Sequence, residues 1–285
     1  MIDIILCCYN QEKYIEQALV SIYSQNFLDT ANLIVADDSS SDKTLEIIKS
    51  IPSPAWINKV YLPHEKNMGL VQNYKRAFHV CKSEFIFILE GDDFWSSPEH
   101  LKQHVEFLRN NPDISMSMNK LTLQFVISGE ENYSYWQEDC KEFKRWNLRE
   151  QILANRLGNL SGCCFRGELI RKLPNRLFKI YFADWLLGII MAEHGDIAIL
   201  EESTSTYRIQ PNGQWSGLST EEQKKELIKC ATVYDDFFKH KYRDFFSELS
   251  RSLGAELPPS IVRRVKQKIK RSLRKIWRIK CKTKQ

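Results

Sequence analysis

Acidic and polar residues directly follow three short apolar segments in the first hundred residues of the chain. They are Tyr9 and Asn10 after residues 2–6, Asp37 and Asp38 after residues 33–36, and Glu90, Gly91, Asp92 and Asp93 after residues 85–89. Carboxylates grouped in this way repel an anionic phosphate, so a divalent cation is needed to bridge the two. Mg²⁺ or Mn²⁺ suits such hard oxygen ligands. The pattern therefore predicts a cation-dependent site for a phosphorylated ligand.

The apolar segments alternate with helical patterns at the spacing of βαβ units. Strands are predicted at residues 2–6, 33–36, 60–62 and 85–89, and helices at residues 14–23, after the N-cap run 39–42, at 70–81, and from Ser97 and Pro98 onwards. Such alternation favours a largely parallel sheet covered on both faces, in which ligands bind beyond the carboxyl ends of the strands. No G-x-G-x-x-G follows the first strand, which argues against a dinucleotide-binding fold.

The net charge of +5 is an average over two unlike parts of the chain. Residues 261–285 hold twelve Lys and Arg and no acid, while residues 1–260 hold the other 29 bases and all 36 acids. A nucleic-acid-binding body needs a basic face, so no nucleic acid is expected as a partner. An acidic body with a basic tail favours an enzyme that handles metal-bound anions near an anionic surface.

Cysteine and histidine offer no separate metal site in the sequence. The eight cysteines form no C-x-x-C, so reduced thiols in a cytosolic compartment are predicted. His100 and His104 share helical spacing but lack the Glu of H-E-x-x-H, and we expect them to be surface or partly buried polar residues. The apolar runs are far shorter than the roughly 20 residues of a membrane-spanning helix, and the N-terminus has no secretion signal.

Four segments occur in an order and spacing that resemble a known family. They are Cys8-Tyr9-Asn10, residues 35–44 around Asp37 and Asp38, Asn67-Met68-Gly69 with Asn73, and residues 89–95 around Glu90, Asp92 and Asp93. Together they resemble the successive motifs of glycosyltransferase family 2. The resemblance implies the α/β GT-A fold, which has a Rossmann-like mixed sheet. It also implies inverting transfer of a sugar from a nucleotide donor, usually a UDP or dTDP sugar.

The resemblance assigns roles to these residues. Tyr9 would stack on the base, and Asp38, with Asp37 beside it, would hydrogen-bond the base ring. Ribose, metal and diphosphate would bind at the acidic segment, with Asp92 or Asp93 as the metal ligand. The remaining motif residues of the predicted donor site are Asn10, Asn67, Gly69, Asn73, Glu90 and Gly91. The sequence departs from the family pattern at Glu90, which keeps the charge of Asp but adds a methylene.

The second half of the chain resembles the family less specifically. Residues 161–166 look like the small-residue strand on the acceptor side, and Asp184 falls where the family carries its general base. Arg208 resembles the cation that approaches the diphosphate. An acceptor hydroxyl must lose its proton as it attacks the sugar, and a positioned carboxylate accepts that proton. The departing diphosphate develops negative charge, which a cation neutralises.

Each of these assignments has a simpler alternative. Asp37 and Asp38 could cap the next helix, and Tyr9 could be an ordinary strand-end aromatic residue. The acidic segment after residue 89 could be a solvated turn. Asp184 could be a helix N-cap, and Arg208 a surface ion pair.

The chain changes character after residue 216. We predict a catalytic domain at residues 1–216, made of a nucleotide half at 1–118 and an acceptor half at 119–216. A helical extension at 217–257 would contain helices ending near residues 238 and 253. Residues 258–285 form a basic amphipathic tail, in which residues 261–285 favour contact with an anionic membrane surface. Packing on the body and polynucleotide binding are alternatives for this tail.

These features predict a metal-dependent inverting glycosyltransferase that uses Mn²⁺ or Mg²⁺. It would act at the cytoplasmic face of the cell membrane on a glycan or lipid-linked glycan of cell-surface polysaccharide or lipopolysaccharide. The alternative is a non-catalytic nucleotide-binding module of the same fold, docked on a membrane or polyanion by its tail. A nucleotidyltransferase fits less well, because no glycine-rich basic loop follows the first strand.

Overall fold

The computed structural model describes residues 1–27, 29–62, 65–126, 128–133, 143–180, 184–210, 213 and 215–254. Contacts divide the chain into two compact units, Met1–Ser219 and Thr220–Gln285. The predicted tail at residues 258–285 lies outside the described residues. No helix among the described residues is long and apolar enough to cross a bilayer.

The first unit is built on one mixed sheet. Its strands are β1 (Ile2–Cys8), β2 (Ala31–Asp37), β3 (Ile57–Tyr61), β4 (Phe85–Glu90), β5 (Phe94–Trp95), β6 (Ile114–Phe125), β7 (Glu131–Tyr133), β8 (Phe143–Trp146), β9 (Cys163–Arg166) and β10 (Asp196–Ile209). The order is β3-β2-β1-β4-β9-β6-β10-β5, with β7 beside β6 and β8 beside β10. Strands β1 to β4 are parallel to one another, whereas β9 is antiparallel to both of its neighbours. The parallel prediction therefore holds for β1 to β4, and β6 and β10 are also parallel to each other, so the sheet is mixed because of β5, β7, β8 and β9.

Helices cover the sheet on both faces. They are α1 (Ile15–Tyr23), α2 (Thr44–Ser50), α3 (Leu70–Val80), α4 (His100–Asn110), α5 (Leu148–Leu153), α6 (Gly167–Arg171), the 3₁₀ helix Asn175–Lys179, and α7 (Asp184–Ala192). Side chains of β1 alternate between the two faces. Those at positions 2, 4, 6 and 8 join the core beneath α1, α2 and α4. On the other face, Cys7 contacts Asn73 of α3.

The second unit contains two described helices, α8 (Thr220–Phe237) and α9 (Arg243–Ser252). Both lie within two residues of the predicted ends, because the capping residue at Thr220 and the apolar periodicity are local signals. The start of α4 is less well predicted. This helix begins at His100 and not at Ser97 and Pro98, and the Ser97 hydroxyl accepts a hydrogen bond from the Glu99 amide, at 3.2 Å, before the helix starts.

The prediction that His100 and His104 lie at or near the surface is wrong. Both side chains have 0% exposure, because α4 turns them toward the sheet. The His100 ring stacks on Trp95 with centroids 4.5 Å apart, and its Nδ1 shares a hydrogen bond of 2.8 Å with the Thr204 hydroxyl. His104 Nδ1 makes a matching 2.8 Å bond with Ser117. The two rings therefore join α4 to β10, through Thr204, and to β6, through Ser117.

Candidate active site

The carboxyl ends of β1, β2 and β4 meet at one edge of the sheet. Cys8 lies opposite Asp37 in the register of β1 and β2, and Cys7 lies opposite Glu90 in that of β1 and β4. The Gly91 amide then donates to the Cys7 carbonyl at 2.8 Å. The three polar clusters that were predicted to share an edge are thus adjacent.

The acids after β2 bind backbone amides of neighbouring loops. Asp38 accepts hydrogen bonds from the amides of Met68, at 3.0 Å, and Gly69, at 2.8 Å. Asp37 accepts one from the Ser40 amide at 3.0 Å. The amide of Thr44, the first residue of α2, donates to Asp42 instead, at 2.9 Å. The helix-capping alternative therefore does not describe these two acids, which join the β2 end to the loops around it.

Asn10 extends the same loop system toward β1. Its Oδ1 accepts a hydrogen bond of 2.8 Å from the Ser41 amide, and its own amide donates to the Ser40 hydroxyl at 2.9 Å. Its φ of 52° lies in the left-handed region, which Asn tolerates better than most residues. Beside it, Tyr9 leaves 45% of its surface exposed. The exposed ring next to this fixed turn is available for stacking.

The loop before α3 contains the other predicted donor-site residues. Gly69 has φ +83°, a conformation that favours glycine, and this directs its amide to Asp38. Asn67 is exposed. Asn73 is only 1% exposed, and its Nδ2 donates to the Ala36 carbonyl at 2.7 Å. Asn73 therefore holds β2 through a buried hydrogen bond, and its side chain does not face the open edge of the sheet.

The acidic loop, residues 90–93, packs closely on β1. A Cβ added at Gly91 would lie 2.9 Å from Cys8 Cβ and 2.8 Å from the Ile15 side chain. Such distances are shorter than real contacts between carbon atoms, so a larger residue would push the loop away. Glycine thus lets the three acids of the loop approach the end of β1.

Asp93 is the most enclosed of these acids. Its exposure is 0%, and its Oδ1 accepts from the Arg208 amide at 2.9 Å. Its Oδ2 accepts from Asn159 Nδ2 at 2.8 Å and from the Ser161 hydroxyl at 2.6 Å. Because all these donors are internal, the geometry favours a structural role over the predicted role as metal ligand.

Asp92 and Glu90 are only partly buried and keep more freedom. Asp92 Oδ2 accepts a side-chain hydrogen bond from Gln210 Nε2 at 2.8 Å. Glu90 accepts from the Tyr74 hydroxyl at 2.7 Å and from Asn159 Nδ2 at 3.2 Å. Burial, followed by repulsion from Asp92, raises the pKa of Glu90 to about 7, and burial raises the pKa of Asp92 as well. The groups around Asp92 and Glu90 therefore do not fully offset the negative charge of these two carboxylates.

This donor set fits a hard divalent cation. Among the described residues, Asp235, Asp236 and His240 of the second unit form the one group of three possible ligand atoms within 4.8 Å of each other. The acidic loop is therefore not a closed three-ligand cage. Mg²⁺ and similar ions often bind through one or two carboxylates plus substrate phosphates, which is the arrangement that Asp92 and Glu90 offer.

Arg208 lies beneath the acidic loop, not on the surface. It is 6% exposed, and its guanidinium carbon lies 4.6 Å from the Phe94 ring centroid. Its Nη1 donates to the Asp92 carbonyl at 2.5 Å and its Nε to Gln124 at 3.2 Å. The surface ion-pair alternative is wrong, and direct contact with a diphosphate stays a prediction. The observed bonds make Arg208 a support of the loop.

Asp184 begins α7, as predicted. Its two carboxylate oxygens accept hydrogen bonds from Asn155 Nδ2, at 3.0 and 3.1 Å, and one of them also accepts from the Trp185 amide at 2.9 Å. Burial raises the pKa of Asp184, while these donors lower it. A carboxylate with a raised pKa that is held by a side chain from another loop is suited to accept a proton.

Several residues that hold the site were not predicted. They are Gln11, Tyr74, Asn155, Asn159 and Gln210. Ser161 was assigned to the acceptor strand, but its hydroxyl binds Asp93. None of these residues lies in a motif, because each one acts through a contact between distant parts of the chain.

Comparisons with known proteins show which sequences and folds this chain is similar to. An uncharacterized protein of Mycobacterium bovis is 26% identical over 228 residues, which are 78% of this chain and 62% of that protein. A Campylobacter jejuni protein named GalNAc(5)-diNAcBac-PP-undecaprenol beta-1,3-glucosyltransferase is 28% identical over 180 residues, 63% of this chain and 51% of its own length. The chain thus spans less than two thirds of these relatives.

Two solved structures share the fold. Staphylococcus aureus TarS 1–349 in complex with UDP-GlcNAc has a TM-score of 0.57 at 20% identity, covering 82% of this chain and 66% of that one. The mannosyltransferase PcManGT from Pyrobaculum calidifontis, in complex with GDP-Man and Mn²⁺, has a TM-score of 0.55 at 12% identity, covering 94% and 79%. The fold is the predicted GT-A fold. The family described as Glycosyl transferase family 2 matches residues 3–173, and the chain belongs to it.

Proposed function

We propose that this protein is a metal-dependent inverting glycosyltransferase. It would move a sugar from a UDP or dTDP sugar to a hydroxyl of a glycan or lipid-linked glycan. The observation that carries the proposal is the position of Asp92 and Glu90, two partly buried carboxylates with raised pKa values at the same sheet edge as Tyr9 and Asp38. Family membership and the nucleotide-sugar complexes of the structural neighbours support it.

In this proposal the first half binds the donor. Tyr9 offers its exposed ring to the base, and the loop that Asp38 fixes through Met68 and Gly69 forms the wall beside it. Asp92 would hold Mn²⁺ or Mg²⁺, with Glu90 as its neighbour. The bound cation would supply positive charge to the diphosphate as it leaves. Asp93 and Arg208 keep the acidic loop in place from below.

Asp184 would serve as the base. Its raised pKa brings it closer to the range in which a carboxylate accepts a proton efficiently, and Asn155 fixes its orientation. The acceptor hydroxyl would lose its proton to Asp184 as its oxygen attacks the anomeric carbon, and the bond to the diphosphate oxygen would break on the opposite side. A single displacement of this kind inverts the anomeric configuration and needs no covalent intermediate.

The acceptor and the place of action extend the proposal. One relative is named for a reaction on an undecaprenol-linked glycan, which supports a lipid-linked acceptor and a role in cell-surface polysaccharide or lipopolysaccharide synthesis. We place the protein in the cytoplasm, peripheral on the inner face of the membrane, with residues 261–285 as the basic anchor.

A thermal-shift screen of nucleotide sugars tests the proposal. UDP, dTDP and GDP sugars are added with and without Mn²⁺ to the full chain and to Asp92→Ala, Asp184→Asn and the exposed-acid control Asp113→Asn. We expect one donor to raise the melting temperature with Mn²⁺, in the unaltered chain, in Asp184→Asn and in the control, but not in Asp92→Ala. Donor hydrolysis or transfer should be lost in Asp184→Asn. The absence of a shift with any nucleotide would overturn the proposal, and a shift without turnover would favour the non-catalytic module.

A further inference from the structure

A groove runs along α3 on the sheet face opposite α1, α2 and α4. Its volume is about 810 Å³, within the range of about 300–1,000 Å³ that ligand sites occupy. One wall is α3, and the other includes α6 and the 3₁₀ helix Asn175–Lys179. The walls are joined by a 2.8 Å hydrogen bond from Gln72 Nε2 to the Phe178 carbonyl. We call this feature the α3 groove.

The floor of the α3 groove is apolar. Phe78 and Phe178 line it with ring centroids 6.4 Å apart, and Ile170 and Leu173 continue the surface. Phe78, Phe178 and Ile170 are between 3% and 8% exposed, so they are held firmly by the core. This floor offers hydrocarbon contact and no obvious specificity for polar groups.

The rim of the α3 groove is basic. Lys75, His79 and Arg171 line it and are exposed. No carboxylate pairs with any of the three among the described residues, and no Asp or Glu occurs among the described residues that line the groove. Lys75 and His79 are four residues apart on α3, so they share one side of the helix. The ammonium of Lys75 and the guanidinium of Arg171, which have no carboxylate partner among the described residues, lie above an apolar floor and match an anionic amphiphile.

One end of the α3 groove is bordered by exposed apolar residues. Met68 and Leu62 line that end, and Met68 is 46% exposed. Tyr61 and Leu70, close to them in the chain, are 39% and 37% exposed. Exposed apolar side chains next to a basic surface are typical of segments that contact the headgroup region of a membrane.

We propose that the α3 groove binds an anionic phospholipid of the membrane, with its phosphate at Lys75 and Arg171 and a hydrocarbon chain along Phe78 and Phe178. This contact lies in the first unit and is separate from the basic tail. Apart from Met68 at its edge, its lining residues are not ones assigned to the donor site, so the contact goes beyond the proposed function. A membrane contact near α3 would hold the catalytic unit at the surface where lipid-linked acceptors are found.

Calorimetric titration of the full chain with a soluble short-chain lipid tests the proposal. Dihexanoyl phosphatidylglycerol is compared with dihexanoyl phosphatidylcholine and with the glycerophosphoglycerol headgroup alone. We expect phosphatidylglycerol to bind at least tenfold more tightly than either, because only this ligand combines negative charge with hydrocarbon. Equal binding of the two lipids, or of the headgroup alone, would overturn the proposal.

Charge-reversal variants locate the contact. Lys75→Glu with Arg171→Glu should lower the affinity for phosphatidylglycerol at least tenfold. Lys49→Glu with Lys102→Glu, which makes the same change in net charge on α2 and α4, should alter it less than twofold. Both variants keep the basic tail, so their difference reports the groove, and circular dichroism with thermal melting checks that both are folded. Equal losses in the two variants would overturn the proposal, as would clearly tighter binding of a prenyl diphosphate or an acidic amphipathic peptide.

Discussion

The two halves of the first unit contribute different things to the same site. The first half, residues 1–118, carries the acids of the proposed donor and metal site, Asp38, Glu90 and Asp92. The second half, residues 119–216, supplies the donors that hold them: the Arg208 amide, Asn159 and Ser161 all bind Asp93. Gln210 in turn binds Asp92. The reactive groups are therefore encoded in short motifs, whereas their environment comes from residues more than sixty positions away.

The contacts with the second half give the neighbouring residues Asp92 and Asp93 different environments. Asp93 points into the second half and is fully enclosed, whereas Asp92 stays partly open at the sheet edge. An enclosed carboxylate with several internal donors stabilises the structure, because removing it leaves those donors unsatisfied. A partly buried carboxylate with fewer donors retains the capacity to bind a cation. Four predictions follow the comparison between the halves, in order of decreasing effect.

The largest effect is expected for Asp92→Asn. Removal of the charge that would hold the cation should lower kcat/KM for sugar transfer about 10³-fold. The free energy of unfolding should fall by less than about 0.5 kcal/mol, because loss of the hydrogen bond from Gln210 is offset by removal of a partly buried charge. Steady-state kinetics and urea unfolding measure both quantities, with Asp113→Asn as the exposed control. Retained activity would show that the first half does not carry the chemistry we assign to it.

In contrast to Asp92→Asn, the variant Asp93→Asn should mainly lower the free energy of unfolding. The new amide group would face donors from Asn159, Ser161 or the Arg208 backbone, so the free energy of unfolding should fall by about 3 kcal/mol. Asp113→Asn, which loses only an exposed ion pair with Arg145, should change it by less than about 1 kcal/mol. If urea unfolding showed equal losses of stability in Asp93→Asn and Asp113→Asn, the second half would not hold the acidic loop.

The contacts that His100 and His104 make from α4 to the strands β10 and β6 can be tested by changing the pH. Burial lowers the pKa of His104 to about 3 and that of His100 well below its usual value. The unfolded chain therefore binds protons first as the pH falls below about 6.5, and the folded state loses up to about 1.4 kcal/mol per pH unit for each histidine. The carboxylates of the site act in the opposite sense, because burial raises the pKa values of Glu90 and Asp184.

Comparison with a variant isolates the histidine contribution. Between pH 6.5 and 5, the unaltered chain should lose about 2 kcal/mol more stability than His104→Gln, whose side chain does not titrate. The exposed His194→Gln should follow the unaltered chain. Denaturant unfolding across this pH range gives the values. Parallel curves for all three proteins would mean that His104 is not held in its neutral form between α4 and β6.

The smallest effect is expected for Asn155→Ala. Without the two hydrogen bonds from Asn155, burial should raise the pKa of Asp184 further, because less of its charge is stabilised. Turnover near neutral pH should fall about tenfold, and the acidic limb of the pH–rate profile should move to higher pH. Asn58→Ala, on β3, is the control. An unchanged pH–rate profile would show that Asn155 does not position Asp184.

The sequence predicted the first half of the fold more accurately than the second. Strands β1, β2 and β4 are continuous apolar runs, and each one ends at a polar cluster, so periodicity and strand ends agree. Strand β9 has no comparable signal, and its antiparallel insertion between β4 and β6 depends on partners distant in sequence. The burial of His100 and His104 was missed for the same reason, since their partners Thr204 and Ser117 belong to other elements.

The sequence by itself determined which groups are available. Short segments bring Tyr9, Asp38, Glu90 and Asp92 to one edge of a parallel sheet, and they carry the family pattern. The tertiary structure alone decided how each acid is used, because pKa and hydrogen bonding depend on burial and on donors from remote strands. It gave Asp92 and Asp93 different environments, a difference that cannot be read from their adjacent positions in one motif. It also formed the α3 groove, whose two walls belong to segments that lie about ninety residues apart.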